Sequence, residues 1–326
     1  MKHFLRDDDI TASQQRMLLT LTDELRAAPT APLLATPVPD LTEATVPRSI
    51  AVVFEKESTR SRLSFHVAIT QLGGSPVVVD SQTSQLARGE TIEDTARVLS
   101  GYVDAIVFRT YTQERALALA HAARVPVINA LTDAFHPCQA LADLYTIAEN
   151  FGSATGRTLA YVGDTGNNMS QSYLLAGALA GLHVRVAGPP QYQPAPDVVA
   201  RAAALAKTAG GSVSTTHDCR AAVDGADVVA TDTWVSMGQQ DGQQRLRDLR
   251  DYQVNSDLVK LAAPHAIVLH CLPAHRGEEI TDEVMDGPQS RVFDQAENRL
   301  HAQKALLAWL VAGHGGPAAA KEHLSK

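Results

Sequence analysis

The sequence predicts an α/β protein with two domains, each a parallel sheet flanked by helices. Short β-branched runs alternate with longer helical patterns, as a chain of βαβ units requires. The runs are nearly continuous in apolar residues, the mark of strands covered on both faces. The length, 326 residues, also exceeds what one typical core accommodates.

In chain order, the candidate strands of the first half are "SIAVVF" (49–54), "SPVVVD" (75–80), "DAIVFR" (104–109) and "VPVINA" (125–130). Those of the second half are "TLAYVGD" (158–164), "HVRVAG" (183–188), "ADVVATD" (226–232) and "HAIVLHC" (265–271), with "SRVF" (290–293) as a possible last strand. Between the two sets, "HPCQALADLYTIAENFGSATG" (136–156) reads as a helix with Pro137 in its first turn, where the missing N–H costs nothing. A Gly/Ser/Thr break at 152–156 follows it. Residues 1–148 are therefore assigned to a first domain and 149–300 to a second, with a helix from about 301–326 packing back on the first. In "DQAENRLHAQKALLAWLVAG", Leu300, Leu307 and Leu310 or Val311 fall at helical spacing, which predicts an amphipathic helix. Pro29, Pro32, Pro37, Pro39 and Pro47 exclude a helix or a central strand over 29–47. The polar, Gly/Gln-rich "VSMGQQDGQQRLRD" (235–248) reads as a mobile flap.

Composition narrows the function. A formal charge of −8 argues against a nucleic-acid or membrane-surface binder, because both need a basic face. A local anion pocket remains open to it. Cys138, Cys219 and Cys271 have no metal-ligand spacing, and three sparse thiols point to a reducing compartment. The first residues, "MKHFLRDDDITASQQ", lack a signal-peptide core, and no apolar run reaches membrane-spanning length. A cytoplasmic protein is expected.

Four clusters carry candidate chemistry. In "FEKESTRSR" a buried strand runs into Ser58, Thr59, Arg60 and Ser61 at the start of a helix. Free backbone N–H groups, hydroxyls and a guanidinium there suit an anion; a capped helix with salt bridges to Glu55 and Glu57 is the alternative. In "FHPCQALADL", His136 and Gln139 stand three apart at a helix start and can grip a carbonyl and an NH2 together, or simply cap the helix. "HAIVLHCLPAHRGEEIT" places Cys271 at a strand's carboxyl end, where it is either functional or packing. "VATDTWVSMG" puts Asp232 past another strand end, with Ser236 and Met237 on the flap. Asn167 and Asn168 occupy the turn of "YVGDTGNNMSQS", whose glycines do not fit a dinucleotide fingerprint.

Taken in this order, "STRSR", "HPCQ", "NNM", "DTWVSMG", "HCLPAHRG" and "AENR" closely resemble the transcarbamoylase family, and within it the ornithine carbamoyltransferase branch. The resemblance runs from "FLRDDD" to the terminal helix. It implies a carbamoyl-phosphate domain followed by an ornithine domain, with the active site in the cleft between them. It further implies transfer of a carbamoyl group from carbamoyl phosphate to the δ-amine of L-ornithine, giving citrulline and phosphate, the chemistry of arginine biosynthesis. No metal or other cofactor is implied. By the same likeness Ser58, Thr59, Arg60 and Ser61 hold the phosphate. Arg109 and His136 polarise the carbamoyl oxygen, Gln139 takes its NH2, and Arg299 completes that site. Asn168, Asp232, Ser236 and Met237 bind ornithine, and Cys271 and Leu272 lie between the substrates. The family is built on trimers, and Gln85 of "DSQTSQLARGE" matches the residue that reaches into a neighbouring subunit's site. Three features depart from the family pattern: Ser61 stands where threonine is usual, residues 29–47 are richer in proline than the family implies, and Arg88–Gly89 stand where a lysine is expected.

Overall fold

Apolar runs become buried strands, and the polar or proline-bearing ones become exposed edges. The computed structural model describes residues 2–28, 30–37, 45–80, 84–235 and 241–313. By its contacts the chain divides into two units, 1–142 with 299–326, and 143–298.

In the first unit a short antiparallel ribbon, β1 (Ala35–Pro37) and β2 (Thr45–Pro47), uses two of the prolines that bar this segment from a sheet interior. The main sheet holds β3 (Ser49–Phe54), β4 (Ser75–Asp80), β5 (Ala105–Arg109) and β6 (Val127–Leu131), in the order β4-β3-β5-β6 with every pair parallel. β3, β5 and β6 are buried along nearly their whole length, whereas the edge strand β4 leaves Val77 and Val78 exposed. Phe4 lies alongside β6, its N–H on Val127 O and its carbonyl accepting from Asn129 N. Leu5, Val53, Ile106, Phe108 and Leu119 form one side of the core.

The second unit holds β7 (Thr158–Val162), β8 (His183–Ala187), β9 (Ser212–Thr216), β10 (Val228–Thr231) and β11 (Ile267–His270). Their order is β11-β10-β7-β8-β9, again all parallel. Val162, Val229, Val254, Val268 and Ile280 belong to its core. Gly163, which ends β7, has φ +132°, and a Cβ on the neighbouring Gly188 would come within 2.4 Å of the Gly163 carbonyl. Only glycine serves at this turn.

Two expectations need correction. "SRVF" is not a strand: Val292 and Phe293 open the final helix, Val292–Val311, and contact with the sheet is limited to a single bridge between Ser290 and Val268, closed by Arg291 N on Val268 O at 2.9 Å. That helix is also not simply amphipathic. His301, Gln303 and Lys304 are buried with their apolar neighbours, and Lys304 Nζ donates to Leu25 O at 2.7 Å. Burial lowers the Lys304 pKa to about 8. Among the described residues, no helix is long and apolar enough to cross a membrane.

Candidate active site

In the first unit the chemistry-bearing side chains gather at the carboxyl ends of the strands. The order reverses between β3 and β5, which leaves a crevice above that pair. Ser58 follows β3 and caps the helix Thr59–Gln71, its Oγ accepting from Ser61 N at 3.3 Å. The first-turn N–H groups of that helix and its dipole favour an anion. Ser61 is buried, and its hydroxyl receives a hydrogen bond from Arg299 Nη2 in the final helix. Arg60 has no ion pair among the described residues.

Glu55, the obvious counter-charge in the sequence, is spent elsewhere. Arg115 grips its carboxylate with two bonds of 2.6 and 2.8 Å, and the Thr110 hydroxyl adds a third. The salt-bridged alternative for this motif therefore loses Glu55 as partner to Arg60.

Arg109 ends β5, and its carbonyl accepts from Glu55 N at 2.9 Å. Its charge, after burial, lowers the pKa of half-buried Lys56. His136 is placed by the turn before it: Thr132 N donates to Phe135 O at 2.9 Å, and Phe135 N to Thr132 Oγ1 at 3.2 Å. The helix Pro137–Phe151 then starts, with the His136 carbonyl taking Ala140 N. Burial, then the charges of Arg299 and Arg109, push the His136 ring well below its ordinary pKa. It is a neutral imidazole among guanidiniums, able to donate a hydrogen bond without carrying a proton into the chemistry. Gln139, fully buried, lies one turn into the same helix. Cys138 beside them is packing: its thiol donates to Asn129 O, and burial raises its pKa far out of reach.

In the second unit the residues lie beyond β7, β10 and β11. Asn167 caps the helix Asn168–Ala180 through Ser170 N at 2.9 Å. Its amide nitrogen donates to Tyr161 Oη at 2.8 Å and to Asp232 Oδ2 at 3.4 Å. Asp232 is buried, which raises its pKa, and its Oδ1 accepts from Cys271 Sγ at 3.0 Å and Thr233 N at 2.7 Å. His270, also buried, sets the turn that presents Cys271. Its Nδ1 accepts from Leu272 N at 2.9 Å, so Nε2 carries the hydrogen donated to Glu279 Oε1 at 3.0 Å. Leu272 has φ +60°, a conformation that costs a branched residue energy. Trp234 follows, its carbonyl held by Arg245 Nε at 2.9 Å, and Arg245 also pairs with buried Asp164.

The predicted residues thus form two groups. One joins Ser58, Ser61, Arg109, His136 and Arg299, with Thr59, Arg60 and Gln139 in the same helical turns. The other joins Asp232 and Cys271, with Leu272 adjacent. Asn167, next to the predicted Asn168, supplies a side chain that reaches Asp232. Gln85 is exposed on the one-turn helix Gln85–Arg88 and makes no hydrogen bond to either group. Ser236 and Met237 lie outside the described residues. Sequence reasoning passed over Tyr161, Asp164, Arg245 and Glu279; a polar residue at a strand's end was the available signal for Asp164, and none pointed to the others.

Residues 2–149 match the family "aspartate/ornithine carbamoyltransferase, carbamoyl-P binding domain", and residues 155–310 match "aspartate/ornithine carbamoyltransferase, Asp/Orn binding domain". The ornithine carbamoyltransferase of Mycolicibacterium paratuberculosis is 57% identical over 311 residues, spanning 95% of this chain and 98% of that protein. That of Acidothermus cellulolyticus is 57% identical over 317 residues, spanning 97% and 98%. Among solved structures, ornithine carbamoyltransferase from Pyrococcus furiosus has a TM-score of 0.89 at 46% identity, covering 96% of this chain and 97% of that one.

Proposed function

The chain belongs to the aspartate/ornithine carbamoyltransferase family and is a carbamoyltransferase acting on ornithine, and from that premise we propose how its residues divide the work. Carbamoyl phosphate binds the first unit. Its phosphate sits on the helix start at Ser58, Thr59, Arg60 and Ser61; its carbonyl oxygen faces Arg109 and His136, its NH2 faces Gln139, and Arg299 closes the site. The observation that carries this reading is the placement of a buried, neutral His136 among Arg109 and Arg299, beside a helix start whose Arg60 has no ion pair among the described residues. Ornithine binds the second unit, at Asn168, Asp232, Ser236 and Met237, with Asn167 supporting Asp232. Cys271 and Leu272 orient the reacting amine against the carbamoyl group.

Two costs must be met. An alkyl amine has a pKa of about 10.4, so selecting its free base near pH 7 costs on the order of 4–5 kcal/mol. Desolvation and cationic neighbours lower that pKa, while the Asp232 carboxylate opposes them; Asp232 recruits and orients ornithine, and Cys271, already donating to Asp232, positions the amine. The second cost is charge on the carbamoyl oxygen as the amine attacks the carbonyl carbon and phosphate leaves. Preorganised donors are worth roughly 3–4 kcal/mol each when deleted, and Arg60, Arg109 and His136 fill that role.

The working protein is a trimer or an assembly of trimers in the cytoplasm, with Gln85 serving the neighbouring subunit's site. Exposed Val77 and Val78 on the edge strand β4, and Leu63 and Val67 on the helix Thr59–Gln71, are apolar surface that assembly would cover, which supports this reading. Three free cysteines suit a reducing compartment. Light scattering tests the assembly, since a trimer scatters as three 34.8 kDa chains.

The activity test is ureido product formed from carbamoyl phosphate with ornithine, putrescine, N-acetylornithine or aspartate in parallel. Turnover with ornithine alone is expected. Preference for another acceptor would refute the ornithine assignment, and carbamoyl phosphate binding without any turnover would make the protein a sensor.

A further inference from the structure

Beyond the Cys271 turn stands a group of side chains that carbamoyl transfer does not use. His275, Glu278 and Glu279 offer a ring nitrogen and two carboxylates whose ligand atoms all lie within 4.8 Å of one another. His275 Nδ1 is 3.8 Å from Glu278 Oε2 and 3.8 Å from Glu279 Oε2. Glu279 is 0% exposed. Its Oε1 already accepts from His275 N at 2.6 Å and from the His270 ring at 3.0 Å. Among the described residues its Oε2 has no hydrogen-bond partner, and it stands 3.8 Å from the His275 ring. A buried carboxylate oxygen without a donor is costly. The nearby guanidinium of Arg276 does not relieve it, being held by Asp282 at 2.7 Å and Asp286 at 2.6 Å.

We propose that His275 Nδ1, the Glu278 carboxylate and Glu279 Oε2 form a binding site for a divalent cation of the zinc and cobalt class. Ligands about 2.0–2.2 Å from a tetrahedral ion stand about 3.4 Å apart, so the two pairs that His275 Nδ1 makes need only tenths of an ångström, and the exposed Glu278 side chain can turn to close the third. One imidazole with two carboxylates is a borderline nitrogen–oxygen set; Ca2+ takes six to eight oxygens instead. The side chains of His275 and Glu278 are 47% and 42% exposed, which leaves room for water to complete the coordination. The ring gives up its 3.0 Å bond with Thr233 Oγ1, whose hydroxyl keeps the Val235 carbonyl as acceptor at 3.3 Å. The ion is not catalytic. Glu279 nevertheless links it to the substrate turn, because its other oxygen holds the His270 ring that in turn holds Leu272 N.

The test is a Co2+ titration of the full-length protein followed by absorption. A thiolate ligand adds an intense sulfur-to-cobalt band in the near ultraviolet, whereas a nitrogen–oxygen set gives visible d–d bands only. One equivalent with d–d bands alone is expected. Affinity should fall about tenfold or more in His275→Ala and in Glu278→Gln, both at well-exposed side chains, and hold in Cys271→Ser. A thiolate band lost in Cys271→Ser would assign the ion to Asp232, His270 and Cys271 and overturn the proposal. No binding, or binding indifferent to His275→Ala and Glu278→Gln, would overturn it equally.

Discussion

Replacing Arg245 by methionine keeps most of the side chain's stem and removes its charge. In the parent, the guanidinium pairs with Asp164, donates to Trp234 O at 2.9 Å and stacks 4.3 Å from the Tyr192 ring centroid. The Asp164 side chain is only 4% exposed. Burial raises its pKa, and Arg245 is the largest influence opposing that rise. With the guanidinium gone, the carboxylate keeps Gly166 N at 3.0 Å. Removing one partner of a buried ion pair costs about 3–5 kcal/mol, because the other charge is stranded. The urea transition, followed by tryptophan fluorescence because Trp234 sits on the affected contact, should report a loss of that size near pH 8. The sign with pH follows from a folded pKa raised above the unfolded value near 3.8. Such a group favours the native state below the unfolded value and loses that contribution as pH rises through the folded one. The penalty in Arg245→Met should therefore shrink toward pH 5, and Asp164→Asn added to it should recover most of the loss. A cost under about 1 kcal/mol, or a double variant less stable than the single, would refute the stranded-charge account.

Other substitutions probe the two substrate sites. Arg60→Ala should lower kcat/KM by about 10²–10³-fold or more through lost phosphate and oxyanion contacts; near-normal kcat/KM would remove the helix start from the site. Asp232→Asn should weaken ornithine binding far more than carbamoyl phosphate binding, read by calorimetry, and equal losses would erase the distinction between the two. His136 is held neutral well below its ordinary 6.5, so the unfolded chain takes up a proton that the native state refuses. Stability from this group is present above the unfolded value and is lost as pH falls from there through the lower folded one. His136→Gln should flatten the slope of stability between pH 7 and 5, and an unchanged slope would show that the ring titrates normally.

The central strands were legible because burial on both faces writes itself as uninterrupted apolar residues. The strand "SVSTT" was not, since an exposed edge carries no such pattern. "SRVF" misled because Val292 is buried as a helix start just as it would be in a strand. Motifs within one turn, such as Ser58 to Ser61 or His136 with Gln139, could be read from spacing. What the spacing could not convey was partnership at a distance: Glu55 with Arg115, 60 positions on, or Asp164 with Arg245, 81 positions on. Those pairings decide which charges remain for a ligand, and they depend on topology.

The hydrogen bond between Arg299 and Ser61 spans 238 positions of chain. Closing so long a loop costs about 5 kcal/mol of chain entropy. At a synthesis rate of about 5–20 residues per second, the helix start waits roughly 12–48 s for its guanidinium. All of residues 143–298 leave the ribosome in that interval and are free to fold first. An arrested chain can therefore own a finished second unit while Ser61 still waits for its Arg299 partner.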